Sequence, residues 1–316
     1  MISRRLIRVK VFKVLFSRIN SGSDSFLGAE KELLLSCDKT LELYYYVLFL
    51  PIALKKVAEA KIETGLKKYQ PTPEESDPNR KFVDNQFIAK LESDETLIKF
   101  CENNGQFWLE NEAFVKKLYA ILIQRDYYHE YMNAPATSFE DDLKLIVNIF
   151  EEELEDNEEF YTILEDSNLY WIDDLAFVIN IILKKLSAHK LNNNTIAHPQ
   201  VFIKDEDKDY ALRLLTQAMI NYDEYIELMT KYVLNWDPDR LAATDTSLIV
   251  LGITEAISFP NIPLKVTINE YVELAKYYST PNSKVFVNGI LDKILLGLQR
   301  DGKIEKTGRG LVGSIE

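Results

Sequence analysis

Residues 263–293 read PLKVTINEYVELAKYYSTPNSKVFVNGILDK, a stretch that admits one local architecture: two helices around a short turn. Thr267 with Glu270 three residues on has the form of a capping box, in which each side chain satisfies the other's backbone N–H, and it marks a helix start. Ile268, Tyr271, Val272 and Ala275 then share one helical face. Ser279-Thr280-Pro281-Asn282 ends that helix, because proline lacks a donor and biases its predecessor away from the helical region. From Ser283 a second helix carries Val287, Ile290, Leu291, Ile294 and Leu298 on a common side. Gly289 lies inside it, at a cost of about 1 kcal/mol relative to alanine. Asn288-Gly289 in isolation would signal a turn. The apolar spacing runs unbroken past it, so close approach of another backbone is the expected reason for glycine.

The rest of the chain repeats this helical grammar. Stretches at 27–68 (with the run Tyr44-Tyr45-Tyr46), 79–92, 94–103, 110–132, 138–155, 157–165, 171–188 and 207–233 have helical spacing. Residues 71–78 and 191–200 read as loops. Asp237-Pro238 marks a further start, an N-cap acid before a proline in the first helical position. That helix passes Leu241, Leu248 and Leu251 to Ile257, and Phe259-Pro260-Asn261-Ile262-Pro263 closes it. Strand alternation is scarce. Residues 3–20 lack a breaker, but Val9-Lys10-Val11-Phe12 alternates, and periodicity alone leaves strand and helix open.

A chain of 316 residues with 47% apolar content can bury a large core and hold two domains. Two cysteines, Cys37 and Cys101, suit a reducing cytosol and small buried packing roles. No run approaches the roughly 18 apolar residues of a membrane span. Basic residues interrupt the N-terminal apolar run, which excludes a signal peptide. The net charge is −13, yet residues 1–20 hold six cations and no acid, leaving −19 for the remainder. A basic arm on an acidic body is suited to a polyanion at one end and to a basic protein elsewhere.

Lys265-Val266, Ile268-Asn269-Glu270, Glu273-Leu274-Ala275-Lys276, Phe286-Val287-Asn288-Gly289 and Leu291-Asp292-Lys293 stand in a fixed register that resembles the NusB family of bacterial transcription antitermination factors. Arg4-Arg5, Arg8 and Lys13-Val14-Leu15-Phe16 are similar to that family's arginine-rich first helix, which makes residues 3–20 helical. The resemblance covers 1–20 and roughly 205–300. It implies an all-α fold: a NusB-like core of two helical bundles with a long helical insertion. The expected organisation is an N-terminal helix at 1–22, the insertion at 23–204, the C-terminal core at 205–300 and a flexible tail at 301–316.

What the resemblance implies for function is RNA binding and assembly. Cations hold phosphates while aromatic faces stack unpaired bases. Arg4, Arg5 and Arg8 are the phosphate candidates, and Phe16 matches an aromatic position near the family's RNA surface. Tyr278, Asn282, Ser283 and Phe286 match its turn and second-helix contacts, and Asp245 and Lys265 match positions lining the same surface. Asn282 stands where many relatives have an acid, a change that eases approach of phosphate. The implied partners are boxA-type RNA, the small-subunit ribosomal protein NusE and the RNA polymerase antitermination complex, notably on rRNA operons in the cytoplasm. Residues 139–174, with fourteen acids and one base (Lys144), offer a face for a basic protein.

No catalytic residue, cofactor or metal is expected. Asp126-x-x-His129 has no second ligand pair, His189 and His198 show no acid or thiol partner, and no nucleophile or phosphate-loop motif stands in a usable context. Two other readings remain. An rRNA methyltransferase with a NusB-like domain would need a catalytic domain that neither the insertion nor the residues after the last core helix provide. A helical scaffold without specific RNA binding differs from the main reading only in its RNA affinity. The main reading requires the N-terminal helix and the 278–286 corner to share one cationic, ring-bearing surface.

Overall fold

The computed structural model describes residues 1–22, 25–104, 107–191, 193, 196–232 and 242–311, and among these every regular element is helical. In chain order they are α1 (Arg4–Ser21), α2 (Phe26–Leu66), α3 (Pro73–Ser76), α4 (Gln86–Glu92), α5 (Glu95–Asn103), α6 (Phe107–Glu110), α7 (Glu112–Leu122) and α8 (Asp126–Asn133). They continue with α9 (Phe139–Glu153), α10 (Glu158–Ser167), α11 (Leu175–Ala188), α12 (Asp205–Ile220), α13 (Tyr222–Tyr232), α14 (Ala243–Ser258), α15 (Leu264–Tyr278) and α16 (Ser283–Arg300). No helix among the described residues is long and apolar enough to cross a membrane.

The chain divides into two units. A central unit comprises Met1 with Asp38–Val201, and a terminal unit comprises Ile2–Cys37 with Phe202–Glu316. Both boundaries lie inside the segment expected as an insertion at 23–204, the first of them within α2. Residues 301–311, expected as part of a flexible tail, instead dock on the terminal unit: Ile304 is buried and Thr307 N–H donates to Pro260 O at 3.1 Å.

In the central unit, α2 carries the tyrosine run into an aromatic core. Tyr45 stacks on Phe100 at 4.4 Å, and Trp108 Nε1–H donates to Tyr46 O at 2.7 Å. The expected helix at 110–132 is broken at Arg125, whose extended backbone lets its guanidinium reach both Glu153 oxygens at 2.7 and 2.9 Å. The 71–78 loop holds one capped turn, α3, with Thr72 and Glu75 as its capping box. His198 does have an acid partner, Asp94, at 2.9 Å, supplied from 104 residues away. Burial pushes the Cys101 thiol up to about 12, and Cys37, the last residue of the terminal unit's first segment, is buried too.

In the terminal unit, α14 is the hub. Its run from Ser247 to Ala256 is buried on all sides, as befits a central helix, and it packs against α1, α12, α13, α15 and α16. Gly252 lets α16 come close, since a Cβ there would lie 2.7 Å from Leu291 Cδ2. Gly22, at φ 63°, closes α1 with its N–H directed at Arg18 O and Ile19 O. The expected helix at 207–233 breaks at Asn221, whose side chain donates to Gln217 O at 2.8 Å. The start marked by Asp237-Pro238 lies outside the described residues.

Two expectations for the 263–293 hairpin are corrected. The helix begins at Leu264, capped by Pro263, so Thr267 and Glu270 are interior and form no capping box. The Thr267 hydroxyl is drawn inward to Glu255 at 2.8 Å, and Glu270 binds arginines of α1. Among the described residues a Cβ at Gly289 would meet nothing within 4 Å, so none of their backbone explains the glycine. Gly289→Ala should therefore raise stability by about 1 kcal/mol through helix propensity. Gly252→Ala should lower it by about 1–3 kcal/mol through overpacking. Paired thermal melts check the opposite signs.

Lys306 reaches back to the end of α14, donating to Ala256 O at 2.7 Å and Phe259 O at 3.1 Å. Burial lowers its pKa from 10.5 to about 8, with Glu255 opposing. Between those two values the unfolded chain holds more protons than the folded one, so stability rises with pH across that window. Lys306→Met should flatten the rise, as read from urea midpoints at about pH 7.5 and about pH 9.5.

Candidate nucleic-acid interface

α1 places Arg4, Arg5 and Arg8 beside acids of α12, α14 and α15. Arg8 grips Glu255 through Nε and Nη2 at 2.7 and 3.0 Å and touches Glu270 at 3.4 Å. Arg5 forks onto Glu270 at 3.1 and 2.8 Å. Arg4 pairs with Asp207 at 3.1 Å and lies 5.0 Å from the Tyr210 ring centroid. Arg8 is only 4% exposed and Glu255 0%. Tyr210 and Tyr271 also donate to Glu255, completing its lone pairs alongside Thr267.

Burial opposes charge on Arg8, but Tyr210 and Glu255 outweigh it and hold its pKa above the ordinary value. Burial works against the Glu270 carboxylate too, yet Arg5 and Arg8 keep its pKa below the usual range. Burial, then Glu255, pushes the Tyr210 and Tyr271 hydroxyls well up. Arg8 as a phosphate contact is thereby corrected: it is a buried ion-pair anchor. Arg4 and Arg5 stay exposed but are locally neutralised.

Further along, α1 runs past α15 in the same sense. Phe12 meets Tyr278 at 5.3 Å and Phe16 at 6.0 Å, and Lys13 Nζ stands 5.8 Å from the Tyr278 centroid. Phe12 is buried, while Phe16 and Tyr278 are half-buried. Tyr278 leads into the turn that opens α16, where Asn282 is exposed and Phe286 half-buried. The N-terminal helix and the hairpin corner are thus joined through rings.

The corner is clamped from beneath. Ser283 Oγ donates to Asp245 Oδ2 at 2.8 Å and sits 3.0 Å from Ser279 Oγ and 2.8 Å from Thr280 Oγ1. Thr244 Oγ1 is 2.7 Å from Ser279 Oγ. Asp245 and Ser283 are 6% and 2% exposed. Their assignment as RNA contacts is corrected to clamping the turn. Among the described residues Asp245 Oδ1 has no hydrogen-bond partner. Lys265, though exposed, stands at the far end of α15, about 20 Å from Tyr278 at 1.5 Å per residue.

Sequence reasoning did not single out Lys13, Tyr277 (79% exposed), Lys284 and Val285 (70% exposed) as site residues. For Tyr277, Lys284 and Val285 the position beside Tyr278 and Phe286 was the available signal, and for Lys13 it was the basic run of residues 1–20. Among the described residues no group of three or more His, Cys, Asp or Glu side chains could hold a metal.

The NusB family model matches residues 176–296, beginning upstream of the expected 205 and not taking in residues 1–20. The transcription antitermination protein NusB of Salinibacter ruber is 44% identical over 112 residues, 34% of this chain and 70% of that protein. Its namesake in Chloroherpeton thalassium is 37% identical over 105 residues, 33% of this chain and half of that protein's length. That of Methylacidiphilum infernorum is 42% identical over 93 residues, covering 29% and 65% of the two chains. A solved structure of T. maritima NusB aligns at 26% identity and a TM-score of 0.30, over 51% of this chain and 93% of that one. Similarity of this extent to the Salinibacter protein, together with a family model that runs through the hairpin carrying the ring-bearing corner, means that the chain belongs to the NusB family.

Proposed function

We propose that this protein is a non-catalytic transcription antitermination factor that binds single-stranded boxA-type RNA together with NusE and helps RNA polymerase read through terminators, notably in rRNA operons. Family membership and the names of the relatives support the antitermination reading. The observation that carries the RNA reading is the ring contact of Phe12 with Tyr278, which joins α1 to the corner bearing Phe286, Asn282 and Lys284. Unpaired bases stack on such rings, and the flanking lysines meet phosphates. The acids of 139–174 are the face proposed for basic NusE.

With Arg8 buried and Arg4 and Arg5 paired, the phosphate term rests on few cations. For two lysines, log affinity should fall against log salt with a slope near about −1.4. Lys13→Ala/Lys284→Ala should flatten it. Titration of boxA-like and scrambled RNA at two salt concentrations tests this, and a preference for boxA is required. The internal pairing of all three arginines favours a second reading, a helical scaffold without specific RNA binding. Equal, weak affinity for both RNAs would select it.

A further inference from the structure

The central unit contains a cavity of about 330 Å³ between α2, α11 and the segment after α11. This is at the small end of ligand sites, which run from about 300 to 1,000 Å³. Its floor is apolar: Leu48, Ile182, Leu186 and Ile196 are all buried. Its polar lining consists of Lys184, Lys185, His189, Tyr44 and Asn193, and among the described lining residues there is no carboxylate.

Two further observations point to a ligand. His189 Nε2 is buried and has no hydrogen-bond partner among the described residues, although buried polar atoms are almost always satisfied. Lys90 adds positive potential nearby while its ammonium holds the wall, donating to Leu191 O at 2.6 Å and Asn193 O at 2.8 Å. Burial, and then Lys90, lowers the His189 pKa, and burial lowers that of Lys185. Burial is the leading cause at both groups, and only at His189 does a neighbouring cation add to it.

We propose that this cavity binds a small amphipathic carboxylate, its aliphatic or aromatic body on the Leu48–Ile182–Leu186–Ile196 floor and its head among Lys184, Lys185 and His189. A carboxylate accepts from all three groups, and charge-assisted bonds of this type are the strong ones. The site lies in the central unit, and its occupancy is independent of the RNA assignment made in the terminal unit.

Calorimetric titration of the full chain with decanoate and with phenylpropionate tests the proposal and separates aliphatic from aromatic bodies. At least one should bind saturably with one site, whereas decanol, decyltrimethylammonium and inorganic phosphate should bind at least about tenfold more weakly. Lys184→Gln/Lys185→Gln, at an exposed and a half-buried position, should weaken the carboxylate by about tenfold or more and leave circular dichroism unchanged. Absence of saturable carboxylate binding below about 1 mM would overturn the site. So would decanol binding as tightly as decanoate, or full affinity in the doubly substituted chain.

Discussion

Arg8→Ala should destabilise the terminal unit by about 3–5 kcal/mol, the range for removing one partner of a buried ion pair. Glu255, 0% exposed in the intact protein, would lose the guanidinium that matches its charge. Tyr210, Tyr271 and Thr267 would still donate to it, but neutral donors do not replace a guanidinium fork. Arg8→Lys should fall between wild type and alanine, because an ammonium cannot hold both oxygens in one plane. Arg8→Ala/Glu255→Ala should cost less than the sum of the single changes, since the two side chains act as a unit. Urea unfolding by circular dichroism reads the total effect, and hydrogen exchange at the α14 amides localises it. A loss below about 1 kcal/mol for Arg8→Ala would mean that the pair does not organise this unit.

Phe286→Ala should weaken boxA-like RNA by about 1–3 kcal/mol, the cost of losing one stacked base, or about 5- to 150-fold. Tyr278→Ala should have a similar effect, and Tyr278→Phe should retain the ring and most of the affinity. Tyr278 also packs on Phe12, so its alanine variant needs a thermal melt beside the titration. Phe286→Leu separates the two roles at its position: it keeps apolar packing and removes the stacking face. RNA affinity equal to wild type in Phe286→Leu would remove that residue from the interface. Neither ring substitution should alter the salt slope, because rings hold bases and lysines hold phosphates.

The helical class and the turn at Ser279–Asn282 were legible because each rests on local chemistry, spacing and a proline, whereas α1, whose periodicity left strand and helix open, was legible only through the family resemblance. Local chemistry also misled. Thr267 and Glu270 have the residue types of a capping box but spend their side chains on Glu255 and on Arg5 and Arg8. The breaks at Arg125 and Asn221 interrupt patterns that read as continuous. Arg125 is turned outward to serve Glu153, twenty-eight residues away, and no window along the chain contains that partner. Gly289 invited a close-approach argument that belongs to Gly252.

The candidate site divides in the same way. The family resemblance selected Phe16, Tyr278, Asn282 and Phe286; the fold exposes Asn282 and leaves the three rings partly accessible. The same resemblance selected Arg8, Asp245 and Ser283, which the fold buries. An arginine beside an acid is a stabilised, desolvated pair, whereas an arginine facing water is a phosphate ligand, and the side chain is identical in both. By itself the amino-acid order determined the helices and family, because periodicity and motif are properties of neighbours along the chain. Which cations are available to a polyanion was decided only in three dimensions, because Asp207, Glu255 and Glu270 lie some two hundred residues or more from the arginines they neutralise.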